Sequence, residues 1–244
     1  MVTNMIDWHT HILPSMDDGS KNPEESIEML KISKNGGVDT VVLTPHFYPN
    51  KDNPARFLRH RDRSFEKLKA CMVEQDEAQN RAEWPDLILG AEVYYFHELA
   101  AMNQRDLKKL CIGDSNYLMV ELPMESWSRD VYATLEALIY NRRIIPVLAH
   151  IDRYFHFIKD RTPLEELANE GMLIQMNVGA LEGFFSRRKA ANWIDEGLVH
   201  VLASDCHNTS DRLPNLHKGQ EILQGRIDES VIGRLVSFNP FKNP

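Results

Sequence analysis

Two histidines, His9 and His11, stand two residues apart at the end of the first apolar stretch of the chain. Residues at this spacing on a strand project from the same side, so both imidazoles can bind one metal ion. Asp7 lies in line behind them, and Asp17 and Asp18 follow on a turn. Taken alone, the His9 and His11 pair is explained equally well by a metal site and by chance. The residues at the ends of the later strands decide between these two interpretations.

The same kinds of side chain stand at, or just beyond, the carboxyl end of each later predicted strand. The complete set of predicted metal ligands is His9, His11, Asp18, His46, Glu92, Glu121, His150, Asp205 and His207. Packing does not require such a set, and unpaired charges gathered in one place would cost desolvation energy. Two or three divalent ions would neutralise them. Mixed imidazole and carboxylate ligands suit manganese, iron or zinc better than calcium or magnesium.

The elements that must position these ligands alternate between strands and helices. After the first strand, apolar runs predict strands near residues 39–43, 86–95, 116–122, 144–149, 172–177 and 200–203. Among the helices between them are one that Asn22 caps, a long charged one over about 55–81, one opened by a capping box at Thr162, and one over about 187–196. This alternation predicts a parallel α/β sheet, and seven strands in 244 residues favour one closed or nearly closed (β/α)7 barrel over residues 1–244. The chemistry of such barrels lies at the carboxyl ends of the strands.

Composition excludes several classes of function. The 28 Lys and Arg residues against 36 Asp and Glu give a net charge of −8, which argues against binding to nucleic acid or to an anionic membrane. The apolar stretches have the length of strands, so no membrane-spanning helix is expected. No signal peptide is visible at the start, and the expected location is cytoplasmic. Three cysteines far apart, Cys71, Cys111 and Cys206, argue against a disulfide framework.

Two arginines, Arg153 and Arg212, follow predicted ligands by a few residues. A guanidinium stays protonated and cannot bind a metal, but its planar fork suits an anionic oxygen cluster such as phosphate. Both are therefore predicted to bind substrate and to act in catalysis. His97 and His156 lie on loops near the same strand ends, and their roles are left open.

Cys206 and Arg212 also have the spacing of the cysteine-dependent tyrosine phosphatases. Those enzymes wrap the backbone amides of a glycine-containing loop around phosphate and lower the pKa of the thiol. The loop between these two residues has no glycine, and Cys206 stands between two predicted metal ligands. On a strand end it would point away from them. The thiol mechanism is therefore disfavoured.

Five stretches together resemble a known superfamily. They are Met5 to Gly19, Thr44-Pro45-His46, Gly90-Ala91-Glu92-Val93-Tyr94, Ala149-His150-Ile151-Asp152-Arg153 and Ser204-Asp205-Cys206-His207. In order and spacing they resemble the polymerase and histidinol phosphatase (PHP) superfamily. More closely, the chain is similar to the bacterial manganese-dependent protein-tyrosine phosphatases of capsule and exopolysaccharide loci. Asp152 departs from this pattern, in which glutamate is expected.

This resemblance implies a distorted seven-stranded (β/α)7 TIM-like barrel with three metals, of which manganese is the first choice. Carried over by position, the first metal is held by His9, His11, Glu92 and Asp205. Glu92 bridges to a second metal, shared with Glu121 and His150. The third metal is held by Asp18, His46 and His207. Arg153 and Arg212 match the arginines that bind phosphate.

The function that the resemblance implies is hydrolysis of a phosphotyrosine by a hydroxide that bridges two metals. The implied substrate is a tyrosine autokinase of polysaccharide assembly. A small-molecule phosphatase, such as one for histidinol phosphate, would need the same metal site. A metal-dependent amidohydrolase is a weaker alternative, because that class uses a bridging lysine where this chain has Glu121. A binding protein without catalysis is the least favoured. The sequence leaves the oligomeric state open.

Overall fold

Strands alternate with helices along most of the chain in the computed structural model. It describes residues 4–79 and 83–241, apart from the side chains of residues 77–79, 184 and 185. The strands in these residues are β1 (Met5–Thr10), β2 (Val38–Leu43), β3 (His46–Phe47), β4 (Asp86–Leu89), β5 (Glu92–Tyr94), β6 (Tyr117–Glu121), β7 (Ile145–Leu148), β8 (Leu173–Asn177) and β9 (Val201–Ala203). The α-helices are α1 (Pro23–Asn35), α2 (Pro54–Gln79), α3 (Gln104–Leu110), α4 (Arg129–Arg142), α5 (Thr162–Asn169), α6 (Gly179–Glu182), α7 (Phe184–Asp195), α8 (Leu216–Leu223) and α9 (Glu229–Ser237). Two short 3-10 helices cover Leu99–Ala101 and Ile151–Tyr154.

Every neighbouring pair of these strands is parallel, so the predicted parallel α/β class is confirmed. The strands form two sheets, a three-stranded one in the order β1-β2-β4 and a six-stranded one in the order β3-β5-β6-β7-β8-β9. β1 and β9 meet through one bridge between Thr10 and Cys206, next to which the His11 amide donates to the Cys206 carbonyl over 2.9 Å. Seven strands were predicted to form a closed or nearly closed barrel, and a closed seven-stranded barrel is not confirmed.

The difference arises where one predicted strand divides in two and where a short strand that was not predicted, β3, follows β2. The strand predicted over 86–95 is interrupted at Gly90 and Ala91, and the chain after β2 resumes as β3 beyond Pro45. Pro45 has no amide hydrogen with which to continue a ladder. Its carbonyl instead accepts from the Glu92 amide over 3.1 Å. Both segments therefore pass from one sheet to the other here. Their register does not change, because Leu43 pairs with Leu89 before the break and His46 pairs with Glu92 after it.

Of two helix caps predicted from the sequence, one is confirmed and the other is wrong. At α1 the Asn22 side chain accepts from the Glu25 amide over 2.9 Å, as predicted. The capping box predicted at Thr162 is wrong. The Asp160 carboxylate accepts from the Thr162 amide, and Thr162 is the first residue of α5 rather than its cap. The helix predicted over about 55–81 covers Pro54–Gln79, and the last two predicted residues lie outside the described part of the chain.

Two clusters of buried side chains hold the elements together. One contains residues of both sheets, among them Ile6 and Trp8 of β1, Val42 of β2, Met119 of β6 and Val201 of β9. The sheets therefore pack against each other through this cluster. The larger cluster joins the strands to the surrounding helices.

Two expected absences concern membranes and disulfides. No helix in the described ranges has both the length and the apolar character needed to cross a bilayer. The three cysteines are free thiols, of which Cys111 and Cys206 are buried.

The turn after β1 brings the chain back against His11. The Ser20 amide donates to the His11 carbonyl over 3.0 Å, and the Gly19 amide donates to the Asp17 carboxylate over 2.9 Å. A Cβ atom at Gly19 would lie 2.2 Å from the His11 carbonyl oxygen and 2.5 Å from the His11 Cβ. Only glycine fits this close approach without a backbone shift.

Gly19→Ala is expected to lower the free energy of unfolding by about 1–3 kcal/mol, because the added methyl group overlaps the backbone of His11. Gly179→Ala is the matched control, since a Cβ there meets no atom within 4 Å. Urea unfolding of both variants and the parent measures the difference. Equal stability of the two variants would contradict the close approach.

Candidate metal centre

All nine predicted ligands lie together at the carboxyl ends of the strands. Each is carried by a strand or by the residues that directly follow one, except Asp18, which lies on the loop between β1 and α1. Most of the set is buried, while the Asp18 side chain is 67% exposed and marks the open side. The structure therefore brings together residues from six of the nine described strands or the loops that follow them.

Glu92 lies at the centre of this cluster. Its Oε2 is 2.8 Å from His46 Nδ1, 3.2 Å from His9 Nε2 and 3.4 Å from His11 Nε2. Its Oε1 is 2.9 Å from His150 Nε2. One carboxylate thus faces four imidazoles, which is the position expected of a bridging ligand.

Three groups of ligand atoms are close enough to hold an ion each, with all atoms of a group within 4.8 Å of one another. They are His11, Asp18, His46 and His207; His9, His11 and Asp205; and His46, Glu92 and Glu121. The groups share His11 and His46. They overlap the division that the resemblance implies, but each differs from it by one residue. The group with Asp18 also contains His11, the group with Asp205 lacks Glu92, and the third group contains His46 where the resemblance has His150.

Three of the imidazoles are oriented by hydrogen bonds from the ring nitrogen that faces away from the cluster. His9 Nδ1 donates to Gln175 Oε1 over 3.2 Å, and His11 Nδ1 donates to Asp17 Oδ2 over 2.8 Å. His207 Nδ1 donates to the Asp205 carbonyl over 2.9 Å. Each bond leaves the Nε2 lone pair directed inward, which is the usual arrangement of metal-binding histidines.

Several buried atoms of the cluster lack a hydrogen-bond partner among the described residues. They are His46 Nδ1, Glu92 Oε2, Glu121 Oε2, His150 Nδ1 and His207 Nε2. Buried polar atoms without a partner are rare in proteins. Four of them belong to the metal-sized groups, so bound cations would satisfy them. The residues present therefore fit a centre with more than one ion.

The electrostatics of the cluster are those of a cation site. Burial opposes the charge of Glu92, but its electrostatic interactions with His9 and His46 outweigh burial and hold its pKa well below the usual range. Burial likewise opposes the charge of His150, yet hydrogen bonds to Glu121 and Glu92 raise its pKa to about 9. A proton on His150 stands where a cation would, so metal binding there must displace it.

Supporting residues that the sequence did not reveal lie on β8. Gln175 Oε1 accepts from the His150 amide over 2.6 Å as well as from His9. Asn177 Nδ2 donates to Asp205 Oδ2 over 2.8 Å. The only available signal was their alternation on a predicted strand, which does not distinguish them from core residues. Asp152, the departure from the family pattern, accepts from the Asn177 amide over 2.9 Å.

Two predicted ligands have strained backbones. His150 has φ 35° and Asp205 has φ 52°, in the left-handed region that residues other than glycine rarely adopt. Such conformations cost about 1–3 kcal/mol each and collect at functional sites. They turn both side chains inward at the points where β7 and β9 have just ended.

The two predicted phosphate-binding arginines both contact the same carboxylate. Arg153 donates to Asp205 Oδ2, and Arg212 Nη2 lies 2.9 Å from that oxygen. Their side chains are 33% and 38% exposed, so both also face the open side of the cluster. They can therefore reach an anion bound there.

Aromatic rings line the same opening. The Tyr48 ring stacks on His46 with centroids 5.0 Å apart, and the Tyr94 ring follows at 5.7 Å from Tyr48. Both tyrosines are half-buried. Of the two histidines left open, His97 is exposed beside Tyr95, with 3.4 Å between its Nδ1 and the hydroxyl, and His156 is exposed.

Cys206 is unsuited to act as a nucleophile. The residue is completely buried within the larger apolar cluster. Burial, with a smaller effect from Asp7, raises the pKa of its thiol well above the usual range. This agrees with the prediction that the thiol points away from the ligands.

Fold and site together define a class: a parallel α/β protein with a histidine- and carboxylate-rich candidate metal centre at the carboxyl ends of its strands. The chain belongs to the family described as capsular polysaccharide synthesis, CpsB/CapC, whose profile matches residues 5–243.

Characterised relatives extend this result. The tyrosine-protein phosphatase CpsB of Streptococcus pneumoniae is 30% identical over 252 residues, covering 98% of this chain and 97% of the relative. The tyrosine-protein phosphatase YwqE of Bacillus subtilis (strain 168) is 31% identical over 230 residues, covering 90% and 82%. The predicted resemblance to bacterial tyrosine phosphatases of capsule loci is confirmed.

Solved structures agree with the fold. One from a study of YwqE and CpsB, described as unique metal-dependent tyrosine phosphatases, superposes with a TM-score of 0.78 at 26% identity, covering 93% of this chain and 90% of that one. The phosphotriesterase homology protein of Escherichia coli, with phosphate in its active site, gives a TM-score of 0.55 at 10% identity and covers 98% and 97%. This second match shows a shared fold alone.

Elemental analysis of protein purified without chelator should find at least two transition-metal ions per chain. Glu92→Gln should lower this content, because the neutral amide cannot balance several cations. Glu125→Gln is the control, since Glu125 is exposed on the loop after β6 and belongs to none of the three groups. A parent that is fully active without transition metal would contradict the metal centre.

Cys206→Ser and Cys206→Ala should each keep most of the parent's activity on an aryl phosphate, whereas a chelator should abolish it. The buried thiol cannot form the thiolate on which a cysteine mechanism depends. Steady-state rates with and without chelator measure both effects. Loss of activity in both variants, with activity retained in chelator, would restore the thiol mechanism.

Proposed function

We propose that this chain is a metal-dependent protein-tyrosine phosphatase of capsule or exopolysaccharide synthesis. The observation that carries the proposal is that the guanidinium groups of Arg153 and Arg212 both contact Asp205 at the open side of the ligand cluster. Cations and arginines beside one opening suit a phosphoryl group better than an uncharged carbonyl. Named relatives with the same activity support this assignment.

We further propose that the nine predicted ligands hold two or three divalent ions, with manganese as the first choice and iron or zinc as alternatives. The unpartnered buried atoms and the inward Nε2 lone pairs support this ligand set. When bound, such ions supply a nucleophilic water at neutral pH and neutralise phosphate charge.

The arginines are proposed to hold the phosphoryl oxygens that the ions leave free. Both guanidinium groups now share Asp205 Oδ2. An entering phosphate group offers them additional acceptors, and Arg153 and Arg212 can turn their remaining N–H groups to it from two sides. These donors would stabilise the negative charge that builds on the oxygens during transfer.

The aromatic rings at the opening favour an aryl substrate. Tyr48 and Tyr94 present half-buried ring faces next to His46, on which a phenol ring can stack. A tyrosinate leaving group, with a parent pKa of about 10, needs less protonation than an alkoxide. The proposed substrate is the phosphotyrosine of a bacterial tyrosine autokinase. The proposed place of the reaction is the cytoplasm. Residues 1–244 are proposed to form a single catalytic domain.

Arg153→Ala and Arg212→Ala are each expected to lower turnover on an aryl phosphate by about 10²–10³, because each removes a donor aimed at transition-state charge. Lysine at either position should restore activity only in part, since it keeps the charge and loses the bidentate fork. Elemental analysis should show unchanged metal content.

Arg161→Ala provides the control for these variants. Its guanidinium contacts Glu165 and Glu196, and its loss should leave turnover near the parent value. Alanine variants of Arg153 and Arg212 that turn over aryl phosphate at the parent rate, with metals bound, would remove the phosphate-binding role.

A further inference from the structure

The first half of α2 carries a row of exposed cations on an otherwise acidic protein. Residues 51–69 contain seven Lys or Arg and three Asp or Glu, whereas the whole chain has 28 and 36. Arg56, Arg59, Arg63 and Lys67, here called the basic stripe, are all exposed. Their spacing places them on one face of the helix, opposite the buried Phe57 face.

The acids of this segment do not neutralise most of the stripe. Asp52 pairs with Arg56, Asp62 contacts the buried Arg61, and Glu66 lies 2.8 Å from Lys69. Within the described ranges no ion pair includes Arg59, Arg63 or Lys67. Three cations of the stripe therefore face solvent with their charge available to a partner.

The stripe also opposes the local preference of the helix. Helix amino termini favour Asp and Glu, yet the first turn of α2 has no acidic residue and contains Arg56. Such a conflict with a local rule marks positions at which a function, rather than stability, explains the residues.

The stripe begins beside the candidate metal centre. Lys51 Nζ lies 4.3 Å from the centre of the Tyr48 ring, which stacks on His46. Arg56 Nη2 donates to the Lys51 carbonyl over 2.6 Å. From Arg56 to Lys67 the helix rises about 16 Å, the length of about five residues of extended peptide.

We propose that the basic stripe docks an acidic segment flanking the phosphotyrosine of a protein substrate. The inference rests on the proposed phosphatase function and extends it to the sequence around the target tyrosine. With the phosphotyrosine in the metal centre, an extended flank passing Tyr48 and Lys51 meets Arg56 first and then the unpaired cations. Charge complementarity between the acidic flank and the stripe then lowers KM.

An acidic peptide fits the stripe better than an anionic membrane does. Helices that bind membrane surfaces insert an apolar face between the headgroups. The apolar face of α2, with Phe57, Leu58 and Leu68, is already buried in the protein. The net charge of −8 would also repel a broad anionic surface, while a single peptide strand can follow the stripe alone.

The test compares two phosphotyrosine peptides that differ only in one flank, four glutamates against four glutamines. The parent should have a lower KM for the glutamate peptide, and this preference should fall as salt screens the charges. The double variant Arg59→Glu/Arg63→Glu should raise KM for the glutamate peptide about tenfold. Turnover of p-nitrophenyl phosphate and KM for the glutamine peptide should stay near the parent values.

The double variant Arg226→Glu/Arg234→Glu is the matched control. It changes the net charge by the same amount at two exposed arginines, Arg226 in the turn between α8 and α9 and Arg234 on α9. It should keep the peptide preference. The docking proposal is overturned by an unchanged preference in the stripe variant, an equal loss in the control, or a parallel loss on p-nitrophenyl phosphate.

Two binding measurements distinguish this proposal from the proposed phosphatase function and from membrane binding. Fluorescence anisotropy with the unphosphorylated glutamate peptide should show binding to the parent and weaker binding to the stripe variant, independently of catalysis. A parent that hydrolyses neither peptide refutes the proposed phosphatase function, and equal anisotropy for both proteins refutes the stripe. Co-sedimentation with phosphatidylserine vesicles that depends on the stripe, without any peptide effect, would assign the surface to a membrane instead.

Discussion

A buried carboxylate that needs positive charge around it is the constraint on which the rest of this structure depends. Glu92 is 1% exposed, and four imidazoles lie within 3.4 Å of its oxygens. An ionised carboxylate in this position is stable only when cations or protonated groups compensate for lost hydration. The histidines therefore serve the fold as well as the chemistry. Divalent ions bound among them would supply the compensating positive charge, with the imidazoles as neutral ligands.

The backbone meets this constraint by changing sheets beside the site. The interruption at Gly90 and Ala91, together with Pro45, divides the pairing of these two segments into β2–β4 and β3–β5, and the unchanged register leaves His46 opposite Glu92. At β7 and β9 the left-handed conformations of His150 and Asp205 turn a side chain inward where each strand has ended. Local backbone strain is thus concentrated where ligands must converge.

Positive charge on this acidic chain is placed where an anionic substrate would use it. Arg153 and Arg212 form ion pairs with Asp205 at the opening of the ligand cluster, and aromatic rings line the approach beside His46. The basic stripe on α2 continues from that approach along the outside of the protein. These three features suit, in turn, a phosphoryl group, an aryl ring and an acidic polypeptide flank.

The sequence by itself determined the ligand types and the edge of the sheet at which they gather. Spacing on a strand brought His9 and His11 to one side, and the alternation of strands with helices predicted the parallel class, because both patterns are local and chain direction fixes which strand ends meet. Only the tertiary structure decided the two-sheet arrangement, the pairing of His46 with Glu92, and the contacts of Gln175 and Asn177. These depend on the register between strands distant in sequence and on the packing of one sheet against the other. A polar residue on a buried strand has the same local pattern whether it packs in a core or orients a ligand. Its role is set by the atom that it meets across the fold.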